Sequence, residues 1–120
     1  MPYVDGFITP LPADKREQYL AFARKGWEVF RKYGALRHVE TIEDQVPDGE
    51  TTDFRRAVLA GKDELITFSW IVWPDKPTRD SAYAKFMADP QMAQMGEMPF
   101  DGRRMIYGGF TPLFDSEDEP

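Results

Sequence analysis

The sequence contains no cysteine. Disulfides, thiolate nucleophiles and cysteine-ligated zinc or iron–sulfur centres are therefore excluded, and the composition suits a reducing compartment. Histidine occurs once, at His38. One histidine cannot build a multi-histidine metal site, and no His/Asp/Glu spacing has the form of one, so neither a metal nor a cofactor is expected. No serine stands in a nucleophile-elbow pattern. Gly108-Gly109 and Asp101-Gly102 lack the strand–loop–helix setting and the lysine–serine ending of a phosphate loop. The longest apolar run, Phe68 to Trp73, is broken by Ser69 and is far short of the roughly 20 residues a membrane helix needs. The N-terminus shows no basic stretch leading into a long apolar run. No signal peptide is expected there, and a cytoplasmic location follows as an expectation. Positive charge is also in deficit, with 15 Lys and Arg against 21 Asp and Glu and a net charge of −6. Such a surface repels phosphate backbones, and Arg103-Arg104 is too small for a nucleic-acid footprint.

What is present is enough for one globular domain. The chain has 120 residues, 42% hydrophobic and 30% charged, a length and balance that support a core without staples. The domain is expected to span residues 1–114, followed by an acidic tail over 115–120. Asp115, Glu117, Asp118 and Glu119 lie in that tail, and it reads as a frayed, solubilising terminus.

Hydrophobic periodicity orders the elements. Tyr3 to Thr9 reads as a first strand stopped by Pro10, with Gly6 marking a bulge or a close backbone approach. A helix is expected from Ala13 to Tyr33. Pro12 sits near its start, Asp14 and Glu17 lie in its early turns, and Gly34 supplies the left-handed residue beyond its end. Leu20, Ala23, Trp27 and Phe30 form its apolar stripe, widened by Tyr19, Phe22, Val29 and Tyr33. Ala35 to Glu43 reads as the second strand, with Leu36, His38, Glu40 and Ile42 on one face. Val46-Pro47-Asp48-Gly49 is a turn. Thr52 to Leu59 reads as an extra strand. Leu65 to Trp73 is a strand apolar on both faces, which places it centrally with both sides covered. A helix from Pro77 to Ala88, with Ala82, Tyr83, Phe86 and Met87 on one side, precedes a short helix capped by Asp89-Pro90. Arg104 to Pro112 reads as the last strand.

The order β-α-β-(β)-β-α-α-β is the split pattern of an α+β, ferredoxin-like fold: an antiparallel sheet with helices on one face. Helices can cover one side only, yet the central strand is apolar on both. Two copies stacking their sheets face to face would cover the other side, so a homodimer is expected.

Several runs carry a family resemblance that covers the chain to about Leu113. They are Tyr3-Val4-Asp5-Gly6-Phe7, Pro12-Ala13-Asp14-Lys15, Gly34-Ala35-Leu36-Arg37, Val46-Pro47-Asp48-Gly49, Thr52-Asp53-Phe54-Arg55, Phe68-Ser69-Trp70-Ile71, Pro99-Phe100-Asp101-Gly102 and Arg104-Met105-Ile106-Tyr107-Gly108-Gly109-Phe110. Together they resemble the YbaA-like bacterial proteins, a domain family of unknown function in the dimeric α+β barrel superfamily. The resemblance implies that fold and a dimer. The superfamily hosts cofactor-free monooxygenases, isomerases, haem enzymes and plain binding proteins, so it implies no reaction and no catalytic residues.

Candidate chemistry comes from the residues alone. His38 could act as a general base oriented by Glu40, two positions along the same strand face; the plainer reading is a strand histidine bonded to a neighbour. Asp5, in an interior strand, needs a partner, with Arg104 or Arg37 available. It is either a proton acceptor or half of a structural ion pair. Asp53 and Arg55 would share a strand face as a salt bridge. Trp27, Trp70, Trp73 and Tyr107 could line an aromatic pocket, Tyr107 serving as a proton donor, or could simply pack. Met87, Met92, Met95, Met98 and Met105 could form an adaptable lid or fill gaps. Two function classes follow. One is a small-molecule-binding or non-catalytic domain. The other is a cofactor-free monooxygenase or isomerase for a small aromatic or apolar substrate, using Asp5, His38, Glu40, Arg104 and Tyr107. RNA binding is a distant third.

Overall fold

The computed structural model describes residues 2–118. Its elements run β1 (Tyr3–Pro12), a 3₁₀ turn (Ala13–Lys15), α1 (Arg16–Lys32), β2 (Arg37–Ile42), α2 (Phe54–Ala57), β3 (Glu64–Trp73), α3 (Lys76–Phe86), α4 (Pro90–Ala93) and β4 (Ile106–Phe110). The strands form one sheet in the order β2-β3-β1-β4, and every neighbouring pair is antiparallel. This is the α+β, ferredoxin-like arrangement, and the doubly apolar β3 is an interior strand as its sequence requires.

Register assigns each side chain to a face, because the side-chain period along a strand is two. Tyr3 pairs with Trp73, Asp5 with Ile71, Phe7 with Ser69 and Thr9 with Thr67. On the far side of β3, His38 pairs with Ile71 and Glu40 with Ser69. This set faces the helices. Its core holds Tyr3, Val29, Ala35, Ile71, Trp73, Ala82 and Phe86. Each fully buried large side chain of that core, such as Val29 or Ile71, stabilises the fold by about 1.5–3 kcal/mol. The opposite face carries Val4, Ile8, Phe68, Trp70, Val39, Ile106 and Phe110. No helix of the main layer covers it.

Local signals explain the helix ends. Gly34 adopts φ +110°, and a Cβ there would meet Thr78 Cγ2 at 2.8 Å. Asp75 caps α3 by accepting from Thr78 N at 2.8 Å. Asp89 caps α4, with Pro90 as the first helical residue.

Several expectations need correction. Thr52 to Leu59 is not a strand: Asp53 accepts from Arg56 N at 2.7 Å and so caps the short helix α2. Its Phe54 meets Phe68 edge-on at 6.0 Å, so α2 sits over one end of the open face. Asp53 and Arg55 do not pair; Arg55 bonds Glu43 at 2.8 Å instead. Gly6 makes no bulge, since β1 pairs without interruption on both sides; a Cβ there would make ordinary contact with the Phe110 ring at 3.7 Å. The stripe of α1 is rotated from the expected one: Leu20 is 46% exposed, while Gly26, outside that stripe, is buried beside the expected Val29. Met87 is the residue that ends α3, so it leaves the helical period and lies almost fully exposed.

The last strand is shorter than expected, with Arg104 and Met105 in the turn before it. Of the acidic tail, Asp115 to Asp118 form a turn closed by Asp118 N donating to Asp115 O at 3.1 Å. Glu119 and Pro120 lie outside the described residues. No helix among the described residues is long and apolar enough to cross a membrane.

Candidate functional site

Between the sheet and α1 lies a cavity of about 140 Å³. Phe7 and Thr9 of β1, His38 and Glu40 of β2, and Ser69 and Ile71 of β3 form its floor. Tyr19, Phe22, Ala23, Gly26 and Phe30 of α1 form its roof. Residues after α3 close it, with Met92, Met95, Phe100 and Met105 at the rim. Gly26 matters here, since a Cβ would stand 3.3 Å from Phe30 and 3.6 Å from Met95. No lysine or arginine lines the wall, and Glu40 is its one carboxylate.

Three polar side chains join on that wall. His38 Nε2 lies 2.7 Å from Glu40 Oε2. The Tyr19 hydroxyl donates to the other carboxylate oxygen, Oε1. His38 and Glu40 share a strand face by the two-residue period, while Tyr19 arrives from α1. The His38 side chain is only 8% exposed, held by the Phe30 ring at 5.7 Å and Trp27 at 6.4 Å. Burial first, and the Glu40 charge second, push the Tyr19 hydroxyl well above its ordinary value, so it stays protonated and remains a donor. Among the described residues, no group of three or more His, Asp or Glu is placed to hold a metal ion.

The expected five-residue site is therefore split. His38 and Glu40 meet, as their spacing suggested. Asp5 does not line the cavity. It is 1% exposed and is shared by Trp73 Nε1 at 2.9 Å, the Tyr83 hydroxyl at 2.8 Å and Arg79 Nη2 at 2.9 Å. Its cationic partner is thus Arg79, not Arg104 or Arg37. Arg104 instead grips Glu64 through two bonds of 2.7 Å and Asp101 through one of 3.0 Å. It braces the start of β3 against the approach to β4. Tyr107 is 70% exposed and stacks on Phe7 at 6.4 Å. The expected aromatic lining is also different: Trp73 is core, Trp70 faces the open side, and phenylalanines with Tyr19 line the cavity. Met92, Met95 and Met105 do reach it; Met87 and Met98 are exposed. The residue that sequence reading missed is Tyr19. Its signal was its place in the apolar stripe of α1, where it read as packing alone.

A four-stranded antiparallel sheet with helices on one face and a pocket beneath the long helix defines the α+β barrel class of domain. Solved structures agree. An engineered variant of SnoaB, a cofactor-independent oxygenase from Streptomyces nogalater, superposes with a TM-score of 0.56 at 18% identity over 95% of both chains. A NIPSNAP domain protein from Burkholderia xenovorans gives 0.55 at 16% identity, over 92% of this chain and 94% of that one. The family is narrower. Residues 2–102 match the DUF1428 family, described as a protein of unknown function. The YbaA proteins of Escherichia coli K12 and Shigella flexneri, both described as uncharacterized, are 53% identical over 116 residues, covering 96% of this chain and 99% of theirs. The chain belongs to the DUF1428 family, as its resemblance to YbaA-like proteins implied.

Proposed function

We propose that the protein is a homodimeric, cytoplasmic domain that binds one small apolar or aromatic molecule in the cavity between the sheet and α1. The observation that carries this reading is the cavity itself: apolar on nearly every wall, with one joined polar group, His38–Glu40–Tyr19, to orient what enters. The volume favours a compact ligand. A protein cavity of about 150 Å³ holds benzene, and the present one is of that order.

The dimer rests on the uncovered face of the sheet. Phe68, Phe110 and Ile106 are 46%, 62% and 43% exposed there. Contiguous apolar surface of this kind is unusual on a monomer, and a second copy stacked face to face would bury it. The same face argues against RNA: its strand positions carry one cation, Arg37, rather than a basic stripe. Native mass spectrometry of the purified protein tests both parts. A dimer at twice the 13.9 kDa chain mass, with a small adduct or uptake of one added aromatic molecule, is the expected result. A monomer that takes up nothing at millimolar ligand would overturn the reading.

A cofactor-free enzyme, an isomerase or monooxygenase, is the second reading. The His38–Glu40 contact inside an apolar pocket favours it, and the oxygenase among the similar folds is consistent with it. His38 would take a proton from the bound molecule while the Glu40 carboxylate stabilises the imidazolium formed. Washing of solvent deuterium into a bound molecule, lost in His38→Gln, is the outcome that would raise this reading above simple binding.

A further inference from the structure

Resting on the binding reading above, we propose that the cavity takes a neutral, single-ring aromatic molecule bearing a hydroxyl group, which donates its hydrogen bond to Nδ1 of His38. Several observations converge on that atom. Both oxygens of Glu40 are engaged, one by the Tyr19 hydroxyl and one by His38 Nε2 at 2.7 Å. A carboxylate is an acceptor, so the nitrogen facing it carries the hydrogen. In the neutral imidazole this leaves Nδ1 as a bare acceptor.

Nδ1 makes no hydrogen bond to any described residue. Yet no described side-chain nitrogen or oxygen is both buried and without a partner. Nδ1 therefore keeps open surface. His38 lines the cavity and packs against Phe30 and Trp27, and we infer that this surface faces the cavity. The ring cannot turn to hide it without breaking the bond to Glu40.

The other walls restrict what the ligand can be. Phe7, Phe22, Phe30 and Phe100 offer ring faces and edges. No lysine or arginine is present, and Glu40 contributes negative charge, so an anion would meet repulsion with nothing to pair it. The Tyr19 proton is committed to Glu40 and cannot serve the ligand. Thr9 and Ser69 complete the polar wall with neutral hydroxyls. A cavity of about 140 Å³ is of the size that one ring fills.

The test uses the full chain at mildly alkaline pH with phenol, toluene and benzoate as probes. Isothermal titration is expected to show phenol binding about 10-fold more tightly than toluene, the worth of one hydrogen bond at the upper end of the usual range, and no binding of benzoate. Because the chain has a single histidine, its two ring-nitrogen NMR signals need no residue assignment, and their different couplings to the ring C–H protons tell Nε2 from Nδ1. The protonated nitrogen should be Nε2, and the Nδ1 signal should move with phenol and stay still with toluene. In His38→Phe, phenol should lose its advantage while toluene still binds. If that variant does not fold, the nitrogen spectrum of the unaltered protein decides. Equal binding of phenol and toluene with an unmoved Nδ1 signal would overturn the inference and leave the pocket reading intact. Preferred binding of benzoate would also overturn it. If neither neutral ring enters, the pocket reading falls and takes the inference with it.

Discussion

Asp5 is enclosed by the sheet and α3, and three side chains from distant parts of the chain converge on its carboxylate. Arg79 is the charged one, and its guanidinium lies 4.2 Å from the centre of the Tyr83 ring. Removing one member of a buried pair leaves the other charge uncompensated. Asp5→Ala is expected to cost about 3–5 kcal/mol, read as a lower urea midpoint, with the free-energy loss larger than for Arg104→Ala at the more exposed brace. Asp89 makes a different prediction. The Lys32 ammonium at 2.6 Å and then the Tyr33 hydroxyl hold its carboxyl down to about 2, below its ordinary 3.8. A carboxyl depressed on folding adds stability that is full above its unfolded value and disappears as pH falls toward the folded value. The Asp89 contribution should therefore be intact at pH 6 and lost between about pH 5 and pH 2. In Asp89→Asn that part of the acid-induced loss should vanish, so its melting temperature should fall less steeply over this range. An unchanged acid slope would remove Asp89 as a cause. At this scale the sequence showed that Asp5 needs a cation. It could not show which, because Arg79 lies 74 positions away and reaches Asp5 only once α3 has docked.

Helix ends were legible because their chemistry is local. Gly34, Asp89 and Pro90 each act within a turn of their own position, so the residue type is the signal. Gly34→Ala is expected to cost about 1 kcal/mol or more, since φ +110° strains any side chain and the new Cβ would press on Thr78. Replacing Thr78 by Ser in the same background should recover the steric part and leave the backbone part. Thr52 to Leu59 was misread for a physical reason. Thr52, Phe54 and Val58 favour extended structure, and a helix of four residues is too short to show a 3.6-residue period. The decisive signal was Asp53, whose side chain bonds Arg56 N and Gly49 N. The stripe of α1 was displaced for another reason. Periodicity finds an apolar face, but docking centred it on Gly26, where the absence of a side chain leaves space for Phe30, Met95 and the cavity.

Sheet order decides which apolar face is left over. With α1 and α3 on one side, Phe68, Trp70, Ile106 and Phe110 share the other, and α2 reaches only one end of it. Phe68→Glu is expected to convert the proposed dimer to a monomer in sedimentation while the far-UV circular dichroism is retained. A dimer that survives this charge would place the contact elsewhere on the molecule. The sequence by itself determined the elements other than α2, the interior position of β3, the apolar excess of the sheet and the sharing of one strand face by His38 and Glu40. These follow from periods of two and 3.6 residues and from turn chemistry, all of which act over short spans. Only the tertiary structure brought Tyr19 to Glu40, gave Asp5 its arginine, sent Arg104 and Tyr107 away from the cavity and set its volume near 140 Å³. Those outcomes depend on strand register and helix docking between residues far apart in the chain, where no local period carries the information.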